Sequence, residues 1–527
     1  MKNSFKFSLV AAAVVVSIAP MLSVAVDTYD IYWDSNKAVY SKNGGDNQDI
    51  EAFFDNGELQ NQDNNKITIN LDSNTFDNSV FGGLNFISDI FNNNITFQSG
   101  IINGKLMGGS SSFGKVFNNT IVVKNSEVKS DIIGGNGDSS EVSGNKIILE
   151  NAKAKLVYGG YSSGSGKVSG NKVIINDSTI GDGKSGKVYG GYGNDNGSVE
   201  NNEVIIQGGT FDYIYGGHSK SSESKFNKVT IQNANAGYIY GGSAWRNASD
   251  NEIIIKNSTT GGIDGGFSMY SGDASRNKIY ISSSSVGGIY GGLSNTGNAI
   301  DNTITLQIDT TKRPTNISGA IYGGFVGEPI NQDCKTGNTL NIGESQFLPL
   351  TNMNLLKAKN IYNFETINFY LPNSVSNGQV ALSLSDTKPT DLTNVKVNAY
   401  LSNASNLTKD SKIHLIQVPD GGAIENFNEA NGNANLSNVN IAGLINVTGK
   451  IAVDNTAKNL DLTFNGDPSG GGSGGGSTGG GTGGATANAN SKQLLENSLA
   501  GMIAVNESIN NLVSNLDNLG SNANSGS

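Results

Sequence analysis

The chain has 527 residues, of which 70 are glycine and only 8 proline, and 15% are charged. So much glycine excludes an ordinary mixed domain, while so little proline and charge excludes a plain flexible coil. A net charge of −11 excludes phosphate-backbone binding as the main activity, and the single cysteine, Cys334, excludes a disulfide framework or a cysteine-rich zinc site.

Residues 1–25 read as an export signal. Lys2 and Lys6 give a basic start, Leu9–Ala19 an apolar core, and Ser23–Ala25 small residues, so cleavage is expected between Ala25 and Val26. The apolar run is too short for a membrane span. Removing two lysines leaves a mature chain of about −13, expected to leave the cytoplasm through the Sec pathway.

Residues 26–345 carry an N-terminal cap and then a repeat. Glycine pairs begin at Gly82, Gly108, Gly134, Gly159, Gly190, Gly216, Gly241, Gly265, Gly291 and Gly323. An asparagine followed closely by an aliphatic keeps pace at Asn94, Asn119, Asn145, Asn171, Asn202, Asn227, Asn251, Asn277 and Asn302. Between these landmarks the period is two, as in Asn227–Ile231, with Val229 and Ile231 on one face. Aliphatics also recur two residues before each glycine pair (Ile214, Ile239, Ile263, Ile289) and three before each asparagine (Val116, Val142, Val168, Val199). Three short strands per repeat, each with one buried face, describe a coil of a parallel β-helix. The glycine pairs are expected at corners, where positive φ is needed, and the asparagines in stacked amide ladders.

Immediately before the glycine pairs stand Tyr158, Tyr189, Tyr215, Tyr240, Tyr290 and Tyr322, with Asp264 in one coil. Alternation turns this position outward. The stripe either stiffens the sheet by stacking or forms an exposed aromatic ridge that contacts glycans or proteins. Two insertions, Ser178–Gly186 and Asp309–Gly319, leave the body as loops, and Lys312 and Arg313 give the second a basic tip suited to a partner.

Residues 346–466 remain β-rich, with strands expected at Asn360–Pro372, Val395–Leu401, Lys412–Val418 and Lys458–Phe464. Residues 467–490 are a Gly/Ser/Thr linker, 491–519 an amphipathic helix with Leu495, Leu499, Met502, Ile509, Val513 and Leu516 on its apolar face, and 520–527 a disordered tail.

This order resembles the passenger region of Gram-negative autotransporters, the type V secretion family. The stretch Ser491–Asn506 is similar to the helix that opens the family's translocator, matching at Ser491, Lys492, Leu494, Glu496, Leu499, Ala500, Gly501, Val505 and Asn506. The stretch Asn363–Pro372 resembles the family's membrane-proximal junction, which assists passenger folding. The resemblance implies a right-handed β-helix, in line with the usual crossover preference. It also implies an outer-membrane β-barrel translocator as partner and a destination at the cell surface, in the outer membrane or in the extracellular space. Residues after Leu519 show no alternating strands, so that barrel is expected to be missing here or to be a separate chain.

The sequence offers little chemistry. No acidic column that could flank a glycosidic bond is visible. Of the two histidines, His218 occupies the position after a glycine pair where other coils carry Tyr161, Tyr192, Ser243 and Phe267, and His414 lies in a strand. Gly160–Gly164 matches G-x-S-x-G without its strand–turn–helix context, and Gly190–Asp195 matches only part of a calcium-binding nonapeptide. No catalytic residue, metal or cofactor is expected. The reading is a non-enzymatic adhesin or self-association protein that engages host-surface glycans, host proteins or itself, with no nucleic-acid partner. A polysaccharide-degrading β-helix enzyme and an inert stalk are the alternatives. At about 25 residues per coil the rod would have roughly 17 coils and a length on the order of 80 Å.

Overall fold

A computed structural model describes residues 26–34, 37–49, 63–183, 185–308, 313–327, 332–401, 407–435 and 449–465. Ala25, Lys312, the linker and the 491–519 helix lie outside these described residues. The structure is all-β, with 56% of it in strands that form a parallel β-solenoid of about 13 turns. That is fewer than the roughly 17 expected from spacing alone. Residues at both ends fold into antiparallel hairpins instead of turns. Later turns are also longer: Leu340, Ile367 and Val397 are successive partners in one ladder.

The turn opening at Asn227 shows how the sequence builds each coil. Strand Lys228–Gln232 alternates inward and outward residues, corner Asn233 has φ 55°, and strand Asn235–Ala244 carries the Ile–Tyr–Gly–Gly segment. A two-residue strand, Ala248–Ser249, precedes the next corner at Asp250, φ 59°. β-branched residues suit these strands because their stiff side chains pack on a pleated surface. Each inward residue lies over its own copy. Val204, Val229, Ile253 and Ile279 form one ladder, Ile214, Ile239, Ile263 and Ile289 a second. Ile90, Val116, Val142, Val168 and Val199 form a third, and Ser224 and Ala248 continue it. Each fully buried aliphatic contributes about 1.5–3 kcal/mol relative to exposure.

Inside the wall runs an asparagine ladder. Asn251 Oδ1 accepts from the Asn227 backbone N–H at 3.0 Å and from Asn227 Nδ2 at 3.1 Å. Asn251 Nδ2 donates in turn to Asn277 Oδ1 at 3.0 Å. The pattern repeats through Asn119, Asn145, Asn171, Asn202, Asn277 and Asn302, all at most 1% exposed. It extends to Asn338 at one end and to Asn93 and Asn65 at the other. The expectation of Asn94 on this ladder is corrected: Asn94 is exposed at the start of its strand, and Asn93 is the buried member.

The role of the glycine pairs is also corrected. None of them has positive φ. The left-handed residues are those just before the ladder asparagines (Asn201, Phe226, Asp250, Arg276, Asp301) and those closing the following strand (Asn233, Asn257, Ser283). The pairs are glycine because nothing larger fits. A Cβ on Gly216 would sit 2.4 Å from the Gly241 carbonyl oxygen, and one on Gly217 would sit 2.5 Å from Asn227 Nδ2. The wall bends there so closely that the amide ladder fills the space of a side chain.

Both ends of the solenoid are covered. Thr28–Asp34 lies parallel to Lys66–Phe76 and is hydrogen-bonded on its other side to Lys37–Lys42 in an antiparallel hairpin. Lys412–Gln417 pairs antiparallel with Asn459–Phe464, which pairs with Gly449–Val453. Such hairpins occupy edges that would otherwise template pairing with another chain.

Candidate functional site

At several glycine pairs the wall bends so that the residues on either side of the pair face one another. The residue before the pair forms one column and the residue after it a second. In the first column Tyr158, Tyr189, Tyr215 and Tyr240 stack with ring centroids 5.0, 4.8 and 4.7 Å apart. Tyr290 and Tyr322 resume the stack at 4.9 Å. In the second column Tyr161 stacks on Tyr192 at 5.2 Å, followed by His218 at 5.3 Å from Tyr192. Across the bend the columns meet edge to face: Tyr158 and Tyr161 at 5.4 Å, Tyr189 and Tyr192 at 5.1 Å, Tyr215 and His218 at 5.4 Å.

This geometry corrects the exposed-ridge expectation. The tyrosines do leave the core on the outer face, but Tyr189 is only 4% exposed and Tyr158, Tyr215, Tyr240, Tyr290 and Tyr322 are half-buried. The second column shields them, and burial pushes the Tyr215 hydroxyl up to about 12. The His218 position was legible as outward. What the sequence left out was the bend that brings the two columns together.

The columns are interrupted in one place. Asp264 takes the register position between Tyr240 and Tyr290, and Ser243 the position between His218 and Phe267. Asp264 is half-buried, and burial pushes its carboxyl up to about 7. His218 is pushed down to about 4, first by burial and then by Lys220 and Lys187, and its buried Nδ1 has no hydrogen-bond partner. Ser243 is 2% exposed. No hydrogen bond links His218, Ser243 and Asp264, so they do not form a nucleophilic relay.

The remaining motifs are structural. Ser162 of the G-x-S-x-G match is fully buried and donates to the Asp138 carbonyl at 2.8 Å. His414 Nδ1 lies 2.7 Å from Asp461 Oδ1 across an antiparallel strand pair of the C-terminal cap. Asp195 of the partial nonapeptide is exposed, and among the described residues no group of three or more His, Cys, Asp or Glu side chains could hold a metal. Arg313 is not a free loop tip: its guanidinium donates to Asn257 Oδ1 at 2.7 Å and to the Asn257 carbonyl at 3.2 Å. Val26, the first described residue, is exposed. No helix among the described residues is long and apolar enough to cross a membrane.

Two outward-facing features went unread in the sequence. Trp245 and Tyr270, 43% and 58% exposed, stack at 4.9 Å on a loop edge. On the outer face of the asparagine strands, Val122, Ile148, Ile174, Ile205 and Ile254 form an in-register, half-buried apolar column broken by Thr230. The signal was present: three consecutive aliphatics, as in Ile253–Ile255, must turn one of them outward. Lys172–Glu203 and Lys228–Glu252 ion pairs, at 2.7 and 2.8 Å, border this column.

No family model, curated protein or solved structure matches the chain.

Proposed function

We propose that this protein is the passenger of an autotransporter, a right-handed solenoid displayed on or released from a Gram-negative cell, and that it works non-enzymatically by adhesion and self-association. The observation that carries the reading is the outward apolar column from Val122 to Ile254, bordered by alternating lysines and glutamates. A flat sheet face of this kind lets many weak contacts add along a rigid body, so that avidity grows with the length engaged. The exposed Trp245–Tyr270 edge adds amphipathic rings of the type that contact glycans and proteins. The signal-like first 25 residues and the translocator-like stretch Ser491–Asn506 support export through an outer-membrane barrel.

The test uses the exported protein and the cells that make it. Sedimentation and cell-clumping assays should show concentration-dependent association that Ile174→Lys with Ile205→Lys abolishes while cooperative unfolding is retained. A monomeric protein that binds neither itself nor host glycans and proteins, and whose deletion leaves clumping unchanged, would identify an inert stalk and sink this reading.

A further inference from the structure

The break in the tyrosine column has the dimensions of a missing ring. Tyr215 stacks on Tyr240 from one side and Tyr322 on Tyr290 from the other, at 4.7 and 4.9 Å, and between them stands Asp264. Tyr240 and Tyr290 are two coils apart, on the order of 9.6 Å at the usual strand spacing, which leaves room for one flat group between their faces. The facing column is thinned one coil earlier: Ser243 stands opposite Tyr240, where neighbouring coils carry His218 and Phe267. At the level of Asp264 the facing residue is Phe267, whose ring leans over Tyr240 at 6.2 Å and closes that side.

The carboxyl of this slot has no partner within the described protein. Asp264 makes no hydrogen bond or ion pair there, although it is half-buried among rings. A carboxylate withdrawn from water without a counter-charge is costly. A site that holds one while leaving a ring-thick opening beside it is suited to a cation supplied from outside.

The geometry points to this slot as a binding site for a guanidinium group, held between the Tyr240 and Tyr290 rings and paired with the Asp264 carboxylate. A guanidinium is planar and weakly hydrated, stacks on aromatic faces, and presents two parallel N–H donors to a carboxylate. An ammonium is compact and strongly hydrated and would not fill the ring-shaped gap. A divalent metal needs several oxygen ligands, and Asp264 is the slot's single carboxylate. The group could arrive on a free small molecule or on an arginine side chain of a polypeptide. The site is independent of the adhesive reading, since it lies on a different face from the Val122–Ile254 column.

Calorimetric titration of the full chain with agmatine, an arginine-containing peptide and its lysine counterpart tests the site. Agmatine or the arginine peptide should bind, and the lysine peptide should bind at least about tenfold more weakly. Binding of agmatine alone indicates a free guanidinium ligand; binding of the peptide alone indicates a protein side chain. Asp264→Asn should weaken binding about tenfold or more, and Asp264→Tyr, which restores the column, should abolish it. Should Asp264→Tyr fail to unfold cooperatively, Tyr290→Ala, which removes one stacking wall of the slot, should weaken binding several-fold. Wild-type affinity in Asp264→Asn, equal binding of the lysine peptide, or no binding of either guanidinium probe overturns the proposal.

Discussion

Three consecutive asparagines, Asn92, Asn93 and Asn94, hold three different positions in one coil, and alanine at each should separate those roles. Asn93 is 1% exposed; its Oδ1 accepts the Asn65 backbone N–H at 3.0 Å, and its Nδ2 donates to Asn119 Oδ1 at 2.9 Å. In Asn93→Ala the Asn65 N–H is left buried without an acceptor, at about 1–3 kcal/mol, and the amide bond to Asn119 is lost, at about 1 kcal/mol. A small void between coils adds about 1 kcal/mol, for a total near 3–5 kcal/mol. Asn92 sits at φ 57°. Alanine there should cost about 1–2 kcal/mol, and glycine close to nothing. Asn94 is exposed, so Asn94→Ala should stay within about 0.5 kcal/mol. Equilibrium unfolding in urea is the assay. The chain has 2 tryptophans, and in a Trp245→Phe background Trp33, which packs against the N-terminal core, reports on these coils. Equal losses for Asn93→Ala and Asn94→Ala would refute the amide ladder as the element that ties the turns together.

Three further outcomes follow from the same geometry. Gly217→Asn should destabilise by more than about 2 kcal/mol, because its Cβ would lie 2.5 Å from Asn227 Nδ2, whereas Gly170→Asn, at φ 66° with its nearest neighbour at an ordinary 3.8 Å, should be tolerated; urea midpoints compare the two. Phe226 holds φ 57° with its ring 52% exposed, so Phe226→Asn should raise stability by about 1 kcal/mol, read as a higher melting temperature. Stability against pH should reveal two opposed linkages. Asp264, raised from 3.8 to about 7, binds its proton more tightly when folded, so its contribution is present below about pH 4 and lost as pH rises to 7. His218, lowered from 6.5 to about 4, binds its proton less tightly when folded, so stability rises with pH over that interval. Each is worth at most about 3–4 kcal/mol, and they largely offset. Relative to the wild-type profile, Asp264→Asn should therefore steepen the rise towards pH 6.5, and His218→Phe should steepen the fall. Two variants that track the wild type across this range would contradict both assignments.

Much of the fold was legible because a solenoid stacks each residue on its own copy. Spacing alone identified the inward ladders through Val229, Ile239 and Val142, and the parallel register of the strands follows from it. The tyrosine column and the lone aspartate within it were legible for the same reason. The ladder extends past residue 345 because Leu340, Ile367 and Val397 keep their pairing, although the glycine and asparagine landmarks that made the repeat visible have faded there.

Periodicity does not carry the path of the backbone between landmarks, and there the tertiary structure decided. Glycine can serve positive φ or close approach, and only the neighbouring coil's carbonyl and the Asn227 amide show that Gly216 and Gly217 serve the second. Whether an outward residue is exposed depends on the curvature of the wall. The concave bend turns Tyr215 and His218 towards each other, and a ridge becomes a half-buried double column. That curvature also brings Phe267 over Tyr240, one coil earlier, at 6.2 Å. The sequence by itself determined which residues repeat and which face inward, because those follow from stacking identical turns. Which outward residues meet was settled by the bend at the glycine pairs, a property of three-dimensional packing that no spacing records.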